Sequence, residues 1–532
     1  MPSAVEALGY VSLVWGVFVI GVQAIGSYQI FRNYAAVPKK SVSPTLPKDK
    51  VPHVTVLRPA KGLEPFLYEC LASTFRQAYP RDRFTVYFCV SSKDDAAYAV
   101  MRQLLADFPD YDARVFVEDE DPLLRRADKP LGPNPKIRNL SHAYREAKGD
   151  LVWIVDSNVW IASGAAGHMV DRLCGLAGDD RVPRKFVHQM PIVVDTVSSI
   201  KPDSPETRRL LAGDPGAAHD REVPTSLLSQ GGGRLEEMFM ATEHAKFYSA
   251  INTVGVAPCA LGKSNMFRKS HLDMVTDSSR NPILPASVAH LPSGLDHFSA
   301  YICEDHLIGD LLWRTEIPGF QNHGLAWGDL AVQPMAGMSV AGYIARRKRW
   351  LRVRKWTVLA ATLVEPGIQS LICCTSIAYG LTTVPWVHTY LGIPQTWASW
   401  AMCWTGAIAF WIAHDRVLFG RLHAGHSVQI DEHTPTFARG TARGGTERRR
   451  FGEWFLAWLG REFLAFPIWA WAVLLGTSVS WRGEKFRVKS DMTVVAWDEA
   501  ADGGGRRRCG STDGCGWTEQ ERLDSYAMRC NY

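Results

Sequence analysis

The chain is 532 residues long, more than one ordinary domain, and 46% of it is hydrophobic, with 19 tryptophans. That balance is apolar for a soluble enzyme and too polar for a protein lying wholly in a membrane, so it predicts a soluble domain joined to a few spans. A net charge of only +5, with no zinc-finger spacing and no aromatic-basic motif, excludes nucleic acid as a partner, and 11 scattered cysteines without a CxxC pair read as reduced thiols.

Residues 7–31 carry no charge. The run is long enough to cross a bilayer, which needs roughly 20 residues. Arg32, Lys39, Lys40, Lys48 and Lys50 follow it, so the positive-inside rule puts the N-terminus outside the cytosol and the next domain inside. Residues 39–52 form a proline- and lysine-bearing linker. Strands are expected at 54–57, 85–90 and 113–117, with helices at 67–78, 98–108 and 139–147 between and after them. The alternation predicts an α/β sheet built largely from parallel strands.

Residues 151–158, Leu-Val-Trp-Ile-Val-Asp-Ser-Asn, form the central strand of that sheet. Five apolar residues stop at Asp156, at the carboxyl end where such sheets bind ligands. Asp156 there reads either as a holder of a divalent metal and phosphate oxygens or as a turn cap. Arg58, Lys61, Asp94 and Asp95 fall on the same expected edge. So does the segment 133–139, Pro-Asn-Pro-Lys-Ile-Arg-Asn, which brings Lys136 to a helix start, a natural anion site. Their convergence predicts a nucleotide site.

A further strand is expected at 186–194, with Pro191 needing an edge or a bulge. Residues 196–233 turn to Pro, Ser, Asp, Arg and Gly and read as a flexible insertion, after which a helix is expected over 235–250. His244 in that helix reads first as an ordinary histidine, and Gly262 equally as a turn glycine or a place of close backbone approach to a ligand. Glu304 and Asp305 open the next helix. They suit its dipole, and either could serve as a general base toward an acceptor hydroxyl. Arg346, Arg349 and Trp350 sit in a basic run that could stop a membrane span, bind diphosphate through arginine forks and stack on a ring. Residues 366–413 lack charge and suffice for two passes, and 463–481 for one. The arginine- and glycine-rich end of the chain is expected to be disordered.

The order of motifs, Asp94-Asp95, Asn134-Pro-Lys-Ile-Arg-Asn139, Asp156-Ser157, Glu304-Asp305 and Arg346-x-x-Arg349-Trp350, resembles the ceramide glucosyltransferases of glycosyltransferase family 21. Trp481-Arg-Gly-Glu-Lys485 and the early span point to the same branch. The resemblance implies an α/β GT-A domain with a Rossmann-like mixed sheet, plus about four transmembrane helices. Its expected layout is an anchor at 1–35, a catalytic domain at 36–350, a membrane region with about three spans at 351–488 and a tail at 489–532. It implies inverting transfer from UDP-glucose to ceramide in a Golgi or ER membrane, with the catalytic domain facing the cytosol and a divalent cation, Mg or Mn. Asp95 then faces the nucleotide, Asp156 the metal and diphosphate with Lys136 nearby, and Asp305 is the base. Arg346, Arg349 and Trp350 match the family's lid motif, and His244, Gly262 and Glu304 fall in the substrate pocket. Asn158 departs from a strict DxD, leaving one obvious carboxylate for the metal. A processive polysaccharide synthase of chitin or hyaluronan type, and a catalytically dead membrane scaffold, are the competing readings.

Overall fold

The computed structural model describes residues 3–124, 131–176, 181–196, 227–445, 449–481 and 484–496. An eight-stranded sheet in the order β3-β2-β1-β4-β7-β6-β8-β5 forms its centre. Strands β1 (Val54–Pro59), β2 (Phe84–Val90), β3 (Asp112–Val117) and β4 (Leu151–Val155) pair in parallel, as the sequence predicts. β1, β2 and β4 are buried along their whole length, which is why they read as nearly unbroken apolar runs.

The other half is mixed. β7 (Ser264–Arg268) runs antiparallel between β4 and β6 (Arg184–Asp195). β6 pairs in parallel with β8 (Gln321–Met335), and β5 (Trp160–Ile161) closes the edge. Pro191 is accommodated as its chemistry requires. A register shift falls between His188 and Met190, and β7 pairs with β6 only over Phe186–His188, so Pro191 faces no second neighbour. The 39–52 linker is pinned rather than loose: the Val42 and Ser43 amides donate to the Asp171 carboxylate at 2.5 and 2.7 Å. The helix expected from 139 begins at Pro135, because Asn134 caps it from the Lys136 and Ile137 amides.

Most of the expected insertion, 197–226, and most of the expected tail, 497–532, lie outside the described residues. The start of that tail is ordered instead: β10 (Glu484–Val488) pairs with β9 (Ser478–Trp481) and β11 (Val494–Ala496) in a second, three-stranded sheet.

The membrane region departs from four spans. Among the described residues, one helix is long and apolar enough to cross a bilayer, Ala4–Asn33, or two if Leu359–Ile368 and Ser370–Thr383, bent by 71°, form one span. The stretch expected to make two passes becomes the 14-residue helix Ser370–Thr383, the short Pro385–Leu391 and the helix Trp397–His423. The last expected pass is the end of Phe451–Leu474, which contains Pro467 and buries Arg461 and Glu462, and the chain then turns into β9. A buried ionic cluster ties these helices to one another. Lys246 Nζ meets Asp415 Oδ1 at 2.6 Å, Arg461 Nη1 donates to Thr242 Oγ1 at 2.8 Å, and Ser370 Oγ donates to Glu462 Oε2 at 2.5 Å. These helices are held to the 240–254 helical segment by charge pairs as well as by apolar faces.

Glycines let the N-terminal helix approach its neighbours. A Cβ at Gly16 would stand 2.3 Å from Ile377, and one at Gly26 only 1.9 Å from the Lys246 carbonyl oxygen. Gly26→Val therefore forces two backbones apart and should cost at least about 1–3 kcal/mol. Gly21→Ala, with open space at its Cβ, should hold or raise stability, since alanine favours helix by about 1 kcal/mol. Thermal unfolding of both variants in detergent checks this; an unchanged midpoint for Gly26→Val contradicts the contact.

Candidate active site

β4 ends at Val155, and Asp156 follows it into a cavity of about 2930 Å³. Because β7 runs antiparallel to β4, with Val155 paired to Ser264, Lys263 arrives beside Asp156, and the Asp156 amide donates to the Lys263 carbonyl at 3.1 Å. Lys263 Nζ meets Asp156 Oδ2 at 3.0 Å and Asn158 Oδ1 at 3.3 Å. Lys136 comes from the opposite side, at the start of the Pro135–Arg145 helix. Its Nζ lies 2.9 Å from Asp156 Oδ1 and 3.1 Å from Glu304 Oε1. Asp156 is thus gripped between two ammonium groups.

Burial works against the charge on Asp156, but Lys136 and Lys263 outweigh it and hold its carboxyl well below the usual carboxylate range. Burial lowers Lys136 as well, yet Asp156, Glu304 and Asp305 together lift it above its ordinary value. Lys263 is lowered by burial, with Asp156 opposing and Arg346 adding to the effect.

The adjacent acids Glu304 and Asp305 both line the cavity but make different contacts. Glu304 is buried, pairs with Lys136 and accepts from Asn134 Nδ2 at 3.3 Å. Asp305 lines the cavity against Gly262, where a Cβ would fall 2.9 Å from Asp305 Oδ2. Gly262 is thus a close-approach glycine, and its missing side chain makes room for that carboxylate. Burial raises both acids, Lys136 opposes it in each, and the His306 and Gly262 amides favour the charged form of Asp305.

Asp95 also lines the cavity. Its Oδ1 accepts from the amides of Gly62 at 2.8 Å and Ala97 at 2.9 Å, tying the loop after β1 to the Ala96–Asp107 helix it caps. Arg58, by contrast, is fully buried beneath the site and donates to the carbonyls of Cys70 at 2.8 Å and Val159 at 2.9 Å, so it braces the loop that follows Asp156. Arg346, Arg349 and Trp350 reach the cavity from the Val340–Arg354 helix. Arg346 donates to the buried Glu236 at 2.9 Å and packs 4.6 Å over the Trp350 ring. His244 closes a π-helical turn, Met240–His244, and stacks on Tyr248 at 5.0 Å with a buried Nδ1 that has no hydrogen-bond partner. Burial, then Arg347 and Arg354, push it down to about 3, so it is neutral at physiological pH.

Of the site residues expected from the sequence, Lys61, Asp95, Lys136, Asp156, His244, Gly262, Glu304, Asp305, Arg346, Arg349 and Trp350 line this one cavity, whereas Arg58 and Asp94 do not. Sequence reasoning missed Lys263, whose position depends on an antiparallel pairing, and Glu236, which orients Arg346 from another helix. The charge of Lys263 beside Gly262 was the only signal.

The pattern of Glycosyl transferase family 21 matches residues 16–199 and 283–494. The chain is similar to a ceramide glucosyltransferase of Pyricularia oryzae, 54% identical over 501 residues, covering 93% of this chain and 96% of that protein. It is 49% identical over 504 residues to a ceramide glucosyltransferase of Gibberella zeae, covering 93% of this chain and 95% of that one. Among solved structures, a mannosyltransferase from Pyrobaculum calidifontis aligns with a TM-score of 0.36 and 16% identity over 78% of this chain and 97% of that one, too slight a likeness to carry an argument.

The two kinds of carboxylate should act oppositely on stability. Asp156 is depressed, so its stabilisation is present above the unfolded value of about 3.9 and is lost as pH falls below it. Asp305 is raised, so its charge costs stability at neutral pH, and the cost vanishes as pH falls toward that same value. Near neutral pH, Asp156→Asn should therefore cost about 3–5 kcal/mol by stranding buried ammonium groups. Asp305→Asn should raise the melting temperature, by an amount that shrinks on acidification. Melting curves against pH check both, and a destabilised Asp305→Asn contradicts the assignment.

Proposed function

The chain belongs to glycosyl transferase family 21, and from that premise we propose that it transfers glucose from UDP-glucose to the primary hydroxyl of ceramide with inversion, releasing UDP. The observation that carries the reading is one continuous cavity. Asp95, Lys136, Asp156, Lys263 and the arginines stand at its polar part, Asp305 lines it too, and apolar side chains of the N-terminal helix complete the wall. At about 2930 Å³ it is well above the ~300–1,000 Å³ of an ordinary small-molecule site, room for a sugar nucleotide and a lipid together.

Asp305 takes the proton of the acceptor hydroxyl as that oxygen bonds to sugar C1 from the face opposite UDP. The bond from C1 to the diphosphate oxygen breaks, and its electron pair leaves with UDP. A raised carboxyl suits this task, because a base works best when its pKa approaches the working pH. Lys136, Lys263, Arg346 and Arg349 offset the charge growing on the diphosphate, and Trp350, packed under Arg346, fixes the direction of that fork. Neutral His244 lines the same cavity, its Nδ1 turned into the protein and its ring stacked on Tyr248.

Asp156 fits a hard divalent cation, Mg or Mn, in one manner. It stays ionised, and each of its oxygens keeps lone pairs beyond the one facing a lysine, but among the described residues no group of three or more acidic, His or Cys side chains could hold an ion alone. The remaining ligands would be diphosphate oxygens and water, the usual habit of magnesium. When bound, the ion would add charge stabilisation at the diphosphate.

The N-terminal helix leaves Val11, Val14, Val17 and Phe18 exposed, an apolar face that a bilayer would cover. That supports a membrane-held enzyme, and the basic residues after the helix support a cytosol-facing catalytic domain in the ER or Golgi.

Asp305→Asn should lower kcat by about 100- to 10,000-fold with UDP-glucose binding largely kept, since a base acts mainly in the transition state. Glu304→Gln should lose more in folding or donor binding than in rate, because Glu304 holds Lys136. Glucolipid formation and nucleotide binding, measured on both variants, decide it. A nearly active Asp305→Asn beside a folded, inactive Glu304→Gln would reverse the roles.

A further inference from the structure

The apolar part of the cavity has a definite build. Phe18, Val22 and Ile25 recur along one face of the N-terminal helix and line it, and Phe247 and Ile251 line it from the Ala245–Val254 helix. These two helices touch backbone to backbone where Gly26 meets Lys246. Gly21 differs from Gly16 and Gly26: it lines the cavity, yet nothing lies within 4 Å of where its Cβ would be. Gly16 and Gly26 are explained by close packing, and Gly21 is not. Gly21 is exposed, so its missing side chain leaves space at the open edge of the cavity. From Trp15 to Ile25 the lined stretch spans about 15 Å of helix, a length suited to a hydrocarbon chain rather than to a sugar.

The rim of this stretch is apolar and open. Phe18 is 59% exposed, Val254 53% and Val256 74%. A groove that is polar around Asp305 and Lys136 and apolar at an open lateral rim takes a molecule with a polar head and an alkyl tail entering from a bilayer.

We propose that the face of the N-terminal helix around Gly21 is the subsite for one hydrocarbon chain of the lipid acceptor, and that Gly21 sets how long a chain it admits. The proposal rests on the acceptor reading above and adds a specificity-determining residue to it. A larger side chain at 21 fills the groove from its open edge and excludes the distal methylenes. Each methylene kept from burial costs about fourfold in affinity. Excluding two or more lowers kcat/KM for a long-chain acceptor at least about tenfold relative to a short-chain one.

The test uses the full chain in lipid nanodiscs with UDP-glucose and, separately, ceramides bearing a hexanoyl or a stearoyl chain. The ratio of stearoyl to hexanoyl kcat/KM is compared for wild type, Gly21→Phe and Gly406→Phe. Gly406 also has open space at its Cβ but lies outside the cavity, on the Trp397–His423 helix, so it controls for added bulk on a membrane-region helix. The expected result is a ratio reduced at least about tenfold in Gly21→Phe and unchanged in Gly406→Phe. An unchanged ratio in Gly21→Phe, or an equal loss with both ceramides, overturns the subsite. Should Gly21→Phe not accumulate as folded protein, Ile251→Phe on the second lining helix carries the same expectation and the same refutation. Wild type glucosylating neither ceramide would instead refute the acceptor reading itself.

Discussion

Asp156 between two lysines is the arrangement on which the rest of the site depends. An isolated carboxylate at the end of a buried strand would take up a proton or distort the loop, since burial alone penalises its charge. Lys136 and Lys263 at 2.9 and 3.0 Å keep it ionised, and Glu304 in turn anchors Lys136. Two ammonium groups are balanced here by Asp156 and Glu304, so the cluster stabilises the fold at rest, and both lysines line the cavity. The pairs also connect three separated stretches of chain: the strand end at 156, the helix start at 136 and the loop before β7. A shift in any of them moves Asp305, because Gly262 lies between Lys263 and that carboxylate.

A second ionic cluster does the corresponding work on the membrane side. Lys246, Asp415, Arg461 and Glu462 are all buried, and Trp458 donates to Asp415 at 2.9 Å. Such groups are costly to bury unless each is paired, and here every one has a partner. Thr242 and Glu243 join this cluster, and both belong to the π-helical turn that ends in His244. The wider turn is held by the helices on one side and presents His244 to the cavity on the other. The helical region is thus coupled to the cavity wall at His244.

Much of this was legible in the sequence. Unbroken apolar runs ending at charged residues located β1, β2 and β4 and put Asp156 at the ligand edge, because strands buried on both faces leave no other pattern. The adjacent acids at 304 and 305 were expected to point different ways, as successive residues of a helix lie about 100° apart, yet both line the cavity, Glu304 on Lys136 and Asp305 against Gly262. Other features were not legible. Lys263 and Gly262 acquire meaning only from the antiparallel entry of β7, a long-range pairing that local pattern does not encode. The spans expected after residue 351 are matched in part: among the described residues only the bent pair Leu359–Ile368 and Ser370–Thr383 has the length and composition for one. Charge-free runs of suitable length say nothing of Arg461 or Asp415 just outside them, whose partners lie on distant helices and hold those segments against the protein. Asp95 was expected to face the nucleotide; it lines the cavity, but its Oδ1 is engaged as a helix cap.

The central claim is that one cavity joins a nucleotide-sugar site to a bilayer-facing acceptor site. The most direct measurement is transfer by the purified full chain in nanodiscs, with radiolabelled UDP-glucose or UDP-N-acetylglucosamine, in the presence and absence of ceramide. The account predicts label from UDP-glucose in a single glucosylated lipid, strictly dependent on ceramide, with little from the N-acetylated donor. Label accumulating in a polymer without ceramide, or equal use of both donors, would contradict it.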